Sequence, residues 1–397
     1  MRANDASEVF DRTLRIVESG SPELAERFMH VPLSYYSDER VAARERELFM
    51  TQPRALLAAA EIAEPGSFHV RQAMGKSILL TRDEEGKAHA FLNYCRHRGA
   101  EPAQGCGKAR RFTCPYHAWT YDSRGALVGM PLRDRNADLD LSRHGLVELP
   151  SEERHGFIWV ILTPGLGIDV AAHLGVVDGQ LAALGCDQMT YYNSLPHEPI
   201  AANWKCVAEG VVESLHVPFV HRATFNVDAK GSGERFESST AIDIAAYDRF
   251  GAHIRYSLPK FRRADVARLR ALNGGAEPAQ QFAQVWLISP GILLAQELYG
   301  LYFADMEPGP TTGSALFRYG WISPAQSPAG LPTPTDMRER ARLAIGEDAP
   351  VWAGCGRGLA MGAHDYALIG KNEKGVQLFH ESLAEQTGYS GLSYASA

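Results

Sequence analysis

Asn93-Tyr94-Cys95-Arg96-His97-Arg98-Gly99-Ala100 and Cys114-Pro115-Tyr116-His117-Ala118-Trp119 decide how this chain is read. Each run supplies one thiolate and one imidazole, and sixteen residues separate His97 from Cys114. Two sulfurs and two nitrogens on paired loops suit a [2Fe–2S] cluster in which Cys95 and Cys114 hold one iron and His97 and His117 the other. Such mixed ligation raises the reduction potential above that of an all-Cys cluster and makes a good one-electron relay. Zinc is the competing reading, since Zn²⁺ also takes Cys and His. Zinc modules, however, usually space their pairs Cys-x-x-Cys and His-x3-5-His. Here each pair is mixed, and Gly99, Gly105, Gly107 and Pro115 mark tight loops. The cluster is favoured.

At 397 residues the chain exceeds one ordinary core, which predicts two domains. Its composition, 45% hydrophobic and 22% charged, is that of a soluble globular enzyme. A net charge of −7 leaves no dominant basic face and argues against nucleic-acid binding. No apolar run reaches the roughly 18 residues needed to span a bilayer. Met1-Arg2-Ala3-Asn4-Asp5 lacks an apolar signal core, so a cytoplasmic location is expected. Beyond the two cluster thiolates, Cys106, Cys186, Cys206 and Cys355 show no framework spacing and are expected to be reduced, buried thiols.

Outward from the two runs, the pattern is short strands and turns. Ser77–Thr81, Ala90–Asn93 and Phe157–Leu162 read as strands, the last closed by Pro164-Gly165. This predicts a small all-β domain over 37–165. Residues 1–36 read as a helical segment packing on the catalytic domain, with Leu14, Val17, Leu24 and Phe28 at helical spacing. Over 166–397 helices and strands mix, giving an α+β class for the whole chain. Strands are expected at Gly251–Leu258, Phe282–Ile288, Ile292–Leu298, Leu301–Met306 and Ala315–Ile322, the last two as a hairpin. Asp228–Thr240 reads as a mobile loop. Asp336 and Glu339 predict the capping-box start of a long final helical region.

Asn203 to Val217 reads as a helix interrupted at Pro218. On it, Glu213 and His216 share a face, and the break at Pro218 could swing His221 back beside His216. Two imidazoles and a carboxylate make the facial triad of non-haem Fe(II) oxygenases. On spacing alone the structural reading is commoner, but a one-electron relay in the same chain needs an acceptor.

These stretches together resemble the oxygenase (α) component of Rieske non-haem iron oxygenases, the aromatic ring-hydroxylating dioxygenases and their monooxygenase relatives. The matching elements are the two cluster runs, Asn203-Trp204-Lys205 and Glu213–His221, covering about Tyr36 to Leu383. The resemblance implies a helix-grip catalytic domain, an antiparallel sheet around a C-terminal helix. It implies a third iron ligand near Glu347-Asp348 ahead of Arg357-Gly358-Leu359, making Asp348 the candidate, with Asp365 or Glu347 as substitutes. It implies that the acid at 213 bridges His216 to the cluster histidine of a neighbouring subunit, His117, and hence a homotrimer. Most relatives carry Asp there; Glu213 resembles the quaternary-amine monooxygenases. Gly210 stands where many relatives place Asn, and Gly354-Cys355-Gly356 departs from a Gln-containing stretch.

The function implied is a terminal oxygenase. Electrons pass through the cluster to the mononuclear Fe(II), which uses O₂ to hydroxylate a small organic, most broadly aromatic, substrate. An N- or O-demethylating or amine-cleaving monooxygenase is the alternative on the same scaffold. A Rieske electron carrier with a non-catalytic binding domain is the alternative of another class. No strand–GxGxxG–helix unit is present, so electrons are expected from a separate NAD(P)H-dependent reductase, with or without a ferredoxin. Trp286, Tyr256, Tyr302, Phe219 and Trp352 are candidates for an apolar pocket or for core. His253 and Arg255 are candidates to hold a substrate carboxylate, or to face solvent.

Overall fold

The computed structural model describes residues 3–194, 197–221, 224, 245–260, 263–271 and 282–395. The loop expected at Asp228–Thr240 lies outside the described residues. Two compact units emerge, 49–173 and 1–48 together with 174–397. Their limits fall at 48/49 and 173/174, inside the helices Glu39–Thr51 and Val170–Leu174.

The first 35 residues are not one helical segment. Helix α1, Ala3–Ser19, stops where Gly20 takes φ +68°, a left-handed torsion that ends helices. Leu24 is exposed and Phe28 opens a strand, Phe28–Pro32, so their helical spacing was coincidence. The buried face of α1 (Ala6, Val9, Phe10, Leu14, Val17) packs on Val266, Leu269 and Phe282.

Unit 49–173 is built from β1 (Arg54–Ala58), β2 (Ser67–Ala73), β3 (Lys76–Arg82), β4 (Ala88–Leu92), β5 (Cys106–Lys108), β6 (Arg111–Thr113), β7 (Thr120–Asp122), β8 (Leu127–Gly129), β9 (Glu148–Leu149), β10 (Ser151–Arg154) and β11 (Phe157–Val160). They form three antiparallel sheets, ordered β9-β4-β3-β2-β5, β10-β11-β1 and β6-β7-β8. One core joins Leu56, Ile78, Leu80, Ile158 and Leu162. A second gathers Phe91, Phe112, Trp119, Tyr121 and Leu127 around Cys95 and Cys114.

The other unit carries an antiparallel sheet of β12 (Tyr191–Ser194), β13 (Ala246–Phe250), β14 (His253–Pro259), β15 (Phe282–Ile288), β16 (Ile292–Glu297), β17 (Gly300–Pro308) and β18 (Ala315–Ser323), ordered β12-β18-β17-β16-β15-β14-β13. Its register places Tyr256, Val285, Ala295, Tyr302 and Trp321 in one cross-strand row. Arg255, Trp286, Leu294 and Phe303 form the adjacent row, on the opposite face because side chains alternate along a strand.

Four helices matter to the site: α2 (Trp204–Val211), α3 (Val217–Val220), α4 (Pro334–Met361) and α5 (Lys374–Thr387). Leu378 of α5 packs on Tyr256 and Val285, and the Tyr302 hydroxyl donates to the Met337 carbonyl of α4 at 3.3 Å. The capping box of α4 is one turn earlier than expected. Thr333 is the cap and Asp336 its reciprocal partner, since Pro334 presets the first helical turn.

Candidate functional site

The two cluster loops have the same backbone construction. Cys95 N–H donates to the Ala100 carbonyl at 2.9 Å and Gly99 N–H to the Cys95 carbonyl at 2.9 Å. Cys114 N–H donates to Trp119 at 2.8 Å and Ala118 N–H to Cys114 at 2.9 Å. In each loop the fourth residue after the cysteine is left-handed, Gly99 at φ +83° and Ala118 at +54°. Asn93 pins the first loop from inside: its amide donates to Ser77 Oγ at 3.0 Å and the Ala103 carbonyl at 2.9 Å.

Both thiols are buried, Cys95 at 4% and Cys114 at 2% exposure, while the imidazoles lie at the surface of the unit. His97 Nδ1 and His117 Nδ1 stand 3.1 Å apart. His97 stacks on Trp119 with centroids 5.0 Å apart. The Tyr121 hydroxyl lies 3.2 Å from Cys95 Sγ and accepts the Arg96 N–H at 3.0 Å. Arg98 Nη2 lies 3.0 Å from His117 Nε2, its guanidinium 4.3 Å over the Tyr116 ring. Two thiols inside and two convergent imidazoles outside fit the donor set of a mixed-ligand [2Fe–2S] cluster.

In the other unit the expected single helix is two. Asn203 caps α2 by accepting the Lys205 N–H at 2.9 Å, and its amide ties to the carbonyls of Tyr36 and Thr312. Lys205 and Trp204 are fixed to buried Glu45 at 2.6 and 2.8 Å. The helix then ends at Val211, before Pro218, and Pro218 opens α3 instead of breaking α2. Glu213 and His216 therefore sit on a non-helical segment. The Glu213 carboxylate holds that segment: Oε2 accepts the Leu215 and His216 backbone N–H groups, and Oε1 meets His216 Nδ1.

His216, His221 and Asp348 converge. Asp348 Oδ1 lies 3.2 Å from His221 Nε2 and 3.7 Å from His216 Nε2. Each imidazole turns its other nitrogen to a carboxylate, His216 to Glu213 and His221 to Glu347 Oε2 at 3.0 Å. That is how metal-ligating histidines are oriented. Burial disfavours a charged His221, but the hydrogen bonds its ring donates to Asp348 and Glu347 outweigh it and raise its pKa. Three carboxylates around two imidazoles fit a divalent cation. Asp365 is exposed, and Glu347 serves the outer nitrogen of His221. The role of Glu347 was not legible from its position beside Asp348.

The other sequence candidates separate by face. Arg255 is 1% exposed and pairs with Asp248 at 2.8 Å, and His253 Nδ1 accepts the Ser289 N–H at 3.1 Å. Both are neither solvent-facing nor on the Tyr256 face, so they do not hold a substrate carboxylate here. Trp286 is buried on that same far face, its indole donating to Gln180 at 2.8 Å. Tyr256 donates to the Val211 carbonyl at 3.2 Å, which puts the Tyr256–Tyr302 row beside the segment that carries Glu213. Trp352 is buried and Phe219 is 64% exposed. Cys186 and Cys206 are buried, and burial pushes the Cys186 thiol up to about 12; Cys106 and Cys355 are exposed, contrary to expectation. A further group, His197, Asp305 and Glu307, is a buried ion network, because the Arg318 guanidinium takes Asp305 at 3.1 Å.

Residues 52–148 match the family model of the Rieske [2Fe-2S] domain, and 182–388 match that of the ring-hydroxylating alpha subunit catalytic domain. The glycine betaine monooxygenase oxygenase subunit of Chromohalobacter salexigens is 32% identical over 200 residues, 49% of this chain and 44% of the relative. The anthranilate 1,2-dioxygenase large subunit of Burkholderia cepacia is 29% identical over 227 residues, 52% and 51% of the two chains. The chain spans about half the length of the curated relatives it matches. The crystal structure of the quaternary ammonium Rieske monooxygenase CntA with L-carnitine superposes with a TM-score of 0.72 at 21% identity, covering 92% of this chain and 97% of that one. No helix among the described residues is long and apolar enough to cross a membrane.

Proposed function

The chain belongs to the ring-hydroxylating alpha-subunit family, a Rieske [2Fe–2S] domain joined to a mononuclear-iron catalytic domain, and from that premise we propose that it is a terminal oxygenase acting on an N-methylated amine. Cys95, His97, Cys114 and His117 hold the cluster, and His216, His221 and Asp348 hold the iron. When bound, the cluster relays single electrons and the iron reduces O₂ beside the substrate. Two electrons, two protons and O₂ convert a methyl C–H to C–OH with release of one water. The carbinolamine then sheds formaldehyde. The electrons come from an NAD(P)H-dependent reductase, directly or through a ferredoxin.

The observation that carries this reading is the double grip of Glu213 on its own segment and on His216 Nδ1. It fixes the imidazole's tautomer and leaves Nε2 free to face the metal. This grip supports a reading in which the Glu213 carboxylate bridges His216 to the cluster histidine of a neighbouring subunit in a homotrimer. Arg98, 3.0 Å from His117 Nε2, makes the outward side of that histidine attractive to a carboxylate. The extra methylene of Glu213, relative to Asp, and the named activity of the glycine betaine relative support an amine substrate.

Hydroxylation of an aromatic ring is the second reading, supported by the similarity to the anthranilate enzyme and by the apolar Tyr256–Val285–Ala295–Tyr302 row. Turnover of methylated amines and of simple aromatics with a reconstituted donor separates them. Formaldehyde release is expected; a cis-diol with no aldehyde would replace the first reading by the second. Glu213→Gln is expected to keep both metals and to slow single-turnover transfer from cluster to iron. Undiminished transfer would remove the bridge.

A further inference from the structure

Three glycines decide where the segment bearing Glu213 and His216 comes to rest. A Cβ on Gly210 of α2 would overlap the indole nitrogen of Trp352 and stand 3.2 Å from its Cε2. Trp352 lies on α4 four residues after Asp348, on the same helical face, and is 5% exposed. Further along α4, a Cβ on Gly356 would stand 2.7 Å from the Ala201 carbonyl oxygen and 2.8 Å from Ala202 Cα, just ahead of α2. On α5, a Cβ on Gly375 would overlap the carbonyl oxygen of Val212, the first residue beyond α2. The missing side chains let α4 and α5 close on α2 and on its exit.

We propose that the Gly210–Trp352 contact is a positioning device for the mononuclear iron. It sets the gap between α2 and α4, and so the reach between His216, five residues past α2, and Asp348, one turn before Trp352. This rests on the ligand assignment given under Proposed function. The two sequence departures, Gly210 and Gly356, then have related physical causes: one lets α2 approach Trp352 of α4, the other lets α4 approach the chain just ahead of α2. Local propensity works against the proposal's expected outcome, which makes the test sharp. Ala in a helix is ordinarily better than Gly, so Gly210→Ala improves α2 as a helix while driving a methyl into the indole.

The experiment compares wild type, Gly210→Ala, Trp352→Leu and the double variant in the full chain. Ferrous iron retention is read by chelator competition, iron geometry by the electron paramagnetic resonance of the ferrous–nitric oxide complex, and the cluster by its visible spectrum. Gly210→Ala is expected to weaken iron binding by about tenfold, the low end for disturbing a ligand's support, and to alter the nitric oxide signal with the cluster spectrum unchanged. The double variant, with the indole nitrogen gone, recovers most of the loss. Trp352→Leu alone, a spacer removed without a clash, broadens the nitric oxide signal. Wild-type affinity and signal in Gly210→Ala, or a double variant no better than the single, overturns the proposal. Should Gly210→Ala not fold, an unchanged signal in Trp352→Leu overturns it. A wild type that binds no iron beyond its cluster overturns the ligand assignment instead.

Discussion

Glu347 and His221 meet through Oε2 and Nδ1 at 3.0 Å, so adjacent residues of α4 take opposite nitrogens of one imidazole: Glu347 the outer, Asp348 the inner. A carboxylate on the outer nitrogen fixes the tautomer and raises the basicity of the inner one. Glu347→Gln is accordingly expected to leave the fold intact and weaken mononuclear iron binding by roughly 10- to 100-fold. Isothermal titration with ferrous iron checks it, and an unchanged affinity would remove Glu347 from the site.

Tyr121 is expected to tune the cluster. Its buried hydroxyl lies 3.2 Å from Cys95 Sγ, and a hydrogen bond to a cluster sulfur stabilises the more negative, reduced state. Tyr121→Phe should therefore lower the midpoint potential by about 30–60 mV, where 59 mV is tenfold for one electron. A spectroscopic redox titration reads this directly.

Ala118 carries strain that Gly99, its counterpart in the other loop, does not. An alanine at φ +54° costs roughly 1–2 kcal/mol, against about 0.5–1 kcal/mol of extra unfolded-chain entropy for glycine. Ala118→Gly should stabilise the loop by about 0.5–1 kcal/mol, and Gly99→Ala should destabilise it. Denaturant unfolding followed at the cluster's visible band measures both.

How much of this was legible in the sequence follows from what each residue must do. Cys95, His97, Cys114 and His117 stand out because few side chains bind iron and their spacing marks two loops. The end of α2 did not stand out. Leu215, Val217 and Val220 continue a helix-like apolar pattern, and what stops the helix is a side-chain contact, the Glu213 carboxylate taking the Leu215 and His216 N–H groups. Pro218 misled for a related reason: the same ring that breaks a helix interior also starts a helix. The positions of several strands were legible from Gly and Pro punctuation, but the face of each strand was not. Arg255 and Tyr256 are neighbours in sequence and opposites in space, with Arg255 buried against Asp248.

That buried pair also sets an acid limit on the catalytic unit. Burial alone would raise the pKa of Asp248, but Arg255 and Arg12 hold it below the ordinary 3.8. A carboxylate depressed in the folded state contributes stability that is present above its unfolded pKa and lost as pH falls through the folded value. The unit should therefore weaken as pH drops below about 3.8. Asp248→Asn should flatten that limb and cost about 3 kcal/mol at neutral pH, the low end for breaking a buried ion pair, since it removes the carboxylate paired with buried Arg255. Thermal unfolding across pH tests both.

On the proposed ligand assignment, one chain holds a Rieske cluster and, through His216, His221 and Asp348, a separate mononuclear iron. Iron and acid-labile sulfide counted per chain in wild type and His216→Ala test it most directly. About three irons are expected in wild type and about two in the variant, with the cluster's sulfide and visible spectrum unchanged and O₂-dependent turnover abolished. Full iron content and turnover retained in His216→Ala would rule out a mononuclear iron held by His216, His221 and Asp348.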